Sequence, residues 1–138
     1  MTTIADVMTR NPASVELDQT AADAARLMVD HDAGAVLVTS HGALCGILTD
    51  RDIAVRLVAE EKPPDTPVSE IVSATDLVMV TPKTPIHEAA ELMRSRAIRR
   101  LPVLEEGQPV GIVSLGDIAM AADRESALAD ISAAEGNV

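Results

Sequence analysis

The sequence predicts an α+β fold made of two copies of one strand–helix–strand–strand–helix unit, facing each other. Three observations lead there. The stretch Gly46-Ile47-Leu48-Thr49-Asp50-Arg51-Asp52-Ile53 recurs 65 residues later as Gly111-Ile112-Val113-Ser114-Leu115-Gly116-Asp117-Ile118. At the same spacing Ala24, Leu27, Met28, Val38 and Gly42 match Ala89, Leu92, Met93, Val103 and Gly107. A fixed offset through apolar and polar positions marks a duplicated unit. Finally, 138 residues suit one compact domain. A single copy of about 60 residues buries only a modest core, so a shared core is the more stable arrangement.

The elements follow in order. Thr2 or Thr3 caps a short helix over Ile4–Met8. Asn11-Pro12 breaks it, and Ser14–Leu17 is a short extended segment. Asp18 or Thr20 caps the next helix, in which Ala21, Ala24, Ala25, Leu27 and Met28 recur at helical spacing. Asp32-Ala33-Gly34 ends it. Ala35–Thr39 and Leu44–Leu48 are strands joined by the turn Ser40-His41-Gly42, antiparallel because the connection is short. A helix follows from about Asp50 to Glu60.

Residues 61–67 form a linker, Glu61-Lys62-Pro63-Pro64-Asp65-Thr66-Pro67, whose prolines cannot continue a helix. The pattern then repeats: a short helix over Val68–Val72, an extended segment Leu77–Val80, and a helix Pro85–Arg96 with proline tolerated in its first turn. Strands Leu101–Leu104 and Val110–Val113 and a helix over Leu115–Ala122 complete it. The reading therefore divides the chain into a first repeat (1–60), the linker (61–67), a second repeat (68–122) and a partly helical tail (123–138). In the tail, Leu128 and Ile131 are spaced to touch one face.

Composition narrows the function. Apolar residues make up 47% of the chain, as in a globular protein. No apolar run nears the roughly 18 residues of a membrane span. The N-terminus lacks the basic and apolar blocks of a signal peptide, so a cytoplasmic location is expected. The lone Cys45 forbids an internal disulfide. A net charge of −11 repels a phosphate backbone and argues against nucleic-acid binding. With no Phe, Tyr or Trp, the chain also lacks stacking platforms. Any purine bound here must lie between aliphatic side chains and read backbone groups. His31, His41 and His87 fall in different elements without metal-ligand spacing. Cys45, between Leu44 and Gly46, reads as a small core residue. Met28 and Met93 read as matching core positions. No catalytic constellation stands out, and an enzyme is not expected.

Two stretches of Gly-apolar-apolar-Thr/Ser-x-x-Asp at a strand-to-helix junction, in register with the same elements, resemble the signature of CBS domains. Val7-Met8-Thr9-Arg10-Asn11-Pro12 and Arg99-Arg100-Leu101-Pro102-Val103 fit that pattern too. The resemblance covers roughly residues 4 to 122 and is to a tandem CBS pair, or Bateman module, of the small stand-alone kind. It implies a CBS-pair fold, two pseudo-twofold-related repeats packed through their sheets, with two clefts between the repeats. It implies a sensor of an adenosine-containing ligand (AMP, ADP, ATP or S-adenosylmethionine) and a homodimer formed through helices. It makes Thr49 and Ser114 phosphate contacts and Asp52 and Asp117 ribose contacts. Arg99 and Arg100, with Arg51, are then phosphate partners in the Asp52 cleft. Their counterparts at the other cleft, Gly34 and Ala35, carry no charge, so phosphate-bearing ligand is expected to favour Asp52.

The chemistry agrees in part. A helix start attracts an anion, and a carboxylate three residues on accepts hydrogen bonds from a diol. The same residues also fit an ordinary capping box, and the two roles are compatible. The adjacent arginines equally fit a solvated face. A structural or protein-interaction module acting through an unidentified effector stays open beside the sensor.

Overall fold

The computed structural model describes the backbone of residues 1–72 and 77–136, and the side-chain surroundings of these residues through Ser126. In chain order its elements are α1 (Ile4–Val7), β1 (Thr9–Arg10), β2 (Ser14–Glu16), α2 (Ala21–His31), β3 (Ala35–Ser40), β4 (Ala43–Thr49) and α3 (Asp50–Asp52). α3 runs into a π-helix (Ile53–Val58). A 3-10 turn (Val68–Glu70) follows, then α4 (Ile86–Arg96), β5 (Arg100–Glu105), β6 (Gln108–Ser114) and α5 (Leu115–Gly136). The fold is α+β. Its contacts group into two units, Asn11–Val78 and Met1–Arg10 with Met79–Val138.

In the first of these, β2 runs parallel to β3 and β3 antiparallel to β4. The hairpin is set by His41 and Gly42, with φ of 51° and 82°. A two-residue loop with both φ positive matches the right-handed strand twist. Thr20 caps α2 by accepting from the Asp23 N–H at 3.1 Å, and Asp23 returns a bond to the Thr20 N–H. Ala21, Ala24 and Met28 on α2 join Val36, Val38 and Leu48 in one core cluster. Met28 and Met93 are both buried, as their helical spacing requires.

The other unit repeats the plan. Its sheet runs β1-β6-β5 with antiparallel pairs. Glu106 and Gly107 turn the hairpin with φ of 52° and 78°. Ala89, Met93, Leu101, Val103 and Val113 are buried, each 65 residues beyond a buried residue of the first repeat.

Several expectations shift. The segment Leu77–Val80 is not a strand; only Val80 bridges Val103. Two prolines explain this. In the first unit, Leu37 N–H donates to the Ala13 carbonyl at 2.9 Å and Leu17 N–H to that of Thr39 at 3.0 Å. The donors in the equivalent places are Pro102 and Pro82, which have no N–H. Cys45 is exposed rather than in the core. Val38 pairs with Gly46 and Thr39 with Leu44, so Cys45 is the extra residue of a β-bulge, outside the regular alternation. The expected helix over Asp50–Glu60 ends at Val58 and is mostly π-helical. The helix from Leu115 does not stop at Ala122 but continues to Gly136 through an alanine-rich run of good helix formers. The contacts of Leu128 and Ile131 lie outside the described residues.

The opening segments of the two repeats change places. Val68 N–H donates to the Gln19 carbonyl at 2.7 Å, and Ala21 N–H to that of Thr66 at 2.9 Å. Ile4 N–H donates to the Thr84 carbonyl and Ala5 N–H to that of Pro82, both at 2.9 Å. Each segment thus braces the start of the other repeat's long helix, with Ile4 and Val68 fully buried. No helix among the described residues is long and apolar enough to cross a membrane.

Candidate functional site

The two motifs have the same geometry. Thr49 is the last residue of β4, extended, and opens the helical run from Asp50. Its hydroxyl accepts from the Asp52 N–H at 3.1 Å, and Asp52 Oδ2 accepts from the Thr49 N–H at 2.9 Å. At the end of β6, Ser114 accepts from the Asp117 N–H at 3.1 Å, and Asp117 Oδ2 accepts from the Ser114 N–H at 2.9 Å. The capping box anticipated as an alternative is therefore present in both repeats. It leaves Oδ1 of each carboxylate without a protein hydrogen bond among the described residues. Thr49, Asp52, Ser114 and Asp117 are all half-buried.

The strand before each motif is tied to it in the same way. Asp50 N–H donates to the Gly34 carbonyl at 2.9 Å, and Leu115 N–H to the Arg99 carbonyl at 2.8 Å. Ala35 lies opposite Thr49 and Arg100 opposite Ser114. The candidate residues thus divide between the units. Thr49, Arg51 and Asp52 belong to one; Arg99, Arg100, Ser114 and Asp117 belong to the other. Arg51 is exposed and its N–H donates to Asp50 Oδ1 at 2.8 Å. Arg99 is exposed and Arg100 half-buried. Arg99 lies on the rim of an open groove of about 540 Å³, beside Met93, Ile98 and Leu115.

One neighbour of the motif was not anticipated. Arg56 Nε lies 3.9 Å from Asp52 Oδ1. The signal available in the sequence was its position four residues after Asp52, one helical turn on. The second repeat has Ala121 in that place. Among the described residues no group of His, Cys, Asp or Glu is arranged to hold a metal ion. The Cys45 thiol is pushed above its ordinary range by burial of the sulfur and by the Glu16 carboxylate. It donates to the Val38 carbonyl at 3.4 Å. Neither fact marks a nucleophile.

Comparison with known proteins gives this geometry a family. The CBS domain model matches residues 4–59 and 68–124. The chain is similar to the CBS domain-containing protein YhcV of Bacillus subtilis, 45% identical over 120 residues, covering 87% of this chain and 85% of that one. It is similar also to Hypoxic response protein 1 of Mycobacterium tuberculosis, 34% identical over 120 residues, 86% of this chain and 84% of that one. The crystal structure of Hypoxic Response Protein I, with two coordinated zinc ions, superposes with a TM-score of 0.73 at 34% identity over 86% of this chain and 98% of that one. Two family matches in tandem, on two units with one plan, place the chain in the CBS domain family as a CBS pair.

Proposed function

We propose that this CBS pair is a regulatory module that binds an adenosine-containing ligand (AMP, ADP, ATP or S-adenosylmethionine) at its Thr/Ser-x-x-Asp motifs. One observation carries the reading. Each motif holds a carboxylate fixed by one oxygen, with the other left to accept a ribose hydroxyl. A group held in place by its backbone loses little freedom when it binds. Thr49 and Ser114 stand at helix starts, where an anion is favoured. Arg51, Arg99 and Arg100 are the proposed phosphate contacts. Occupancy regulates by favouring one arrangement of the protein, and it does so only as far as it binds that arrangement better.

Calorimetric titration with AMP, ATP and S-adenosylmethionine in turn tests this. It needs no tryptophan or tyrosine signal. Saturable heat with one of them, at about one site per chain, is the expected result. Silence with all three up to millimolar concentration overturns the ligand reading.

A second reading, an interaction module, has its own support. Val58 on the π-helix is 66% exposed and Met120 on α5 is 62% exposed. Exposed apolar helix residues suit a contact with a second copy or with an effector. Light scattering over a range of concentrations tests the homodimer: a constant monomer mass removes it.

A further inference from the structure

The two repeats differ one turn after the motif. In the second repeat, Ile118 and Ala121 face the core, three residues apart, at 5% and 2% exposure. In the first repeat the core-facing pair is Ile53 and Leu57, four apart. The wide π turn takes up that extra residue: Ala59 N–H reaches back to the Ala54 carbonyl, five residues away, at 3.0 Å. Position 56 is thereby turned outward, whereas its counterpart Ala121 is buried. The Arg56 side chain, 46% exposed, comes to rest beside Asp52. Its Nε is 3.9 Å from Oδ1, too far for a hydrogen bond. Oδ1 keeps its lone pairs and gains a neighbouring cation.

We propose that Arg56 is a specificity-determining residue that tilts the first motif toward ligands carrying phosphate. The proposal rests on the adenosine reading above and adds a charge preference to one of its two sites. The physical reason is local charge balance. An isolated carboxylate that accepts a ribose hydroxyl also repels the phosphate of the same ligand. Arg56 offsets that repulsion at Asp52; at Asp117 the corresponding place is held by Ala121, an uncharged, buried residue. In a chain of net charge −11 such a local cation matters more, since the remaining field opposes an anion. For a partly exposed charge within one Debye length of the phosphate, the effect is about fivefold in affinity.

The test is calorimetry with AMP and with adenosine. It is run on Asp117→Ala, which isolates the first motif, and on the same protein carrying Arg56→Ala or Arg56→Lys. With 46% of its side chain exposed, Arg56 can be replaced without opening the core, and far-ultraviolet circular dichroism checks that the variants fold. Arg56→Ala is expected to lower AMP affinity about fivefold and leave adenosine within about twofold. Arg56→Lys should retain most of the preference, and raised salt should shrink it. An unchanged AMP-to-adenosine ratio in Arg56→Ala, with AMP still binding, overturns the role of Arg56 alone. Absence of binding by both compounds to the unsubstituted protein overturns this proposal, and silence with ATP and S-adenosylmethionine as well overturns the adenosine reading beneath it.

Discussion

Gly111 stands so close to Met8 that no side chain fits between them. A Cβ at Gly111 would lie 2.7 Å from Met8 Sδ and 2.9 Å from the Thr9 carbonyl oxygen. The methionine tail can move; the β1 backbone, paired through Thr9 with Ile112 and through Arg10 with Gly111, has to shift. Gly111→Ala should therefore destabilise the protein by about 1–3 kcal/mol. Thermal unfolding followed by circular dichroism measures it, and an unchanged midpoint would mean that β1 is not held on β6.

Ala97 ends α4 in the left-handed region, with φ of 54°. It is exposed and occupies the position where helices favour glycine. Ala97→Gly removes strain of about 1–2 kcal/mol and gives part of it back as unfolded-chain entropy. A net gain of about 0.5–1 kcal/mol is expected in urea unfolding. A loss would show that Ala97 makes contacts that outweigh its backbone strain.

Stability and binding separate at the motifs. Thr49→Ala and Ser114→Ala each remove a helix cap and should cost about 1 kcal/mol. Asp52→Ala should cost a similar amount and also abolish ligand heat from the first motif. An Asp52→Ala protein with undiminished nucleotide affinity would dismiss that motif as a binding site.

Asp23 gives the protein an acid dependence. The Thr20 backbone N–H, then the Thr20 hydroxyl, hold its carboxyl below the ordinary value of 3.8, with Arg26 adding to them. A depressed folded-state pKa means stability that is present above the unfolded value and fades as pH falls through the folded one. The gap in melting temperature between the wild type and Asp23→Ala should be full at neutral pH and narrow below about pH 4. A gap independent of pH would assign Asp23 a packing role instead.

Cys45 is exposed yet should be slow to alkylate at neutral pH. Its thiol is raised by burial of the sulfur and by Glu16, and the thiolate is the reactive form. Reaction with iodoacetamide should rise with pH along a curve displaced to the alkaline side of a free cysteine. In Glu16→Gln the curve should move back toward that of the free thiol. A neutral-pH rate equal to that of a small-molecule thiol would rule this out.

Much of this architecture was legible because duplication writes everything twice. The pairing of Asp52 with Asp117, the two hairpin turns and the buried Met28 and Met93 all follow from one offset and simple periodicity. What escaped the reading depends on neighbours distant in sequence. Pro102 looks like an ordinary strand residue until one knows that its missing N–H lies on the side of Leu77–Val80, where Leu37 in the first repeat donates to Ala13. Cys45 looks buried by alternation until the bulge at Val38 and Thr39 moves it out. Arg56 stands four residues after Asp52, within helical reach of it, but no local propensity announces the wide turn that leaves position 56 outward.

The exchange of leading segments has a consequence for how the chain comes together. β1 is made well before its partner β6, which lies about a hundred residues later in the chain. β1 must wait, without β6, through the synthesis of everything between. The unit Asn11–Val78 includes the linker and the segment after it, and the unit of the second repeat includes Met1–Arg10, made long before the rest of it. Cutting at the proline-rich linker would leave each fragment carrying the other's brace and lacking its own. The two halves are expected to refold together when mixed and poorly when apart, so that a chain built by repetition behaves in folding as a single indivisible piece.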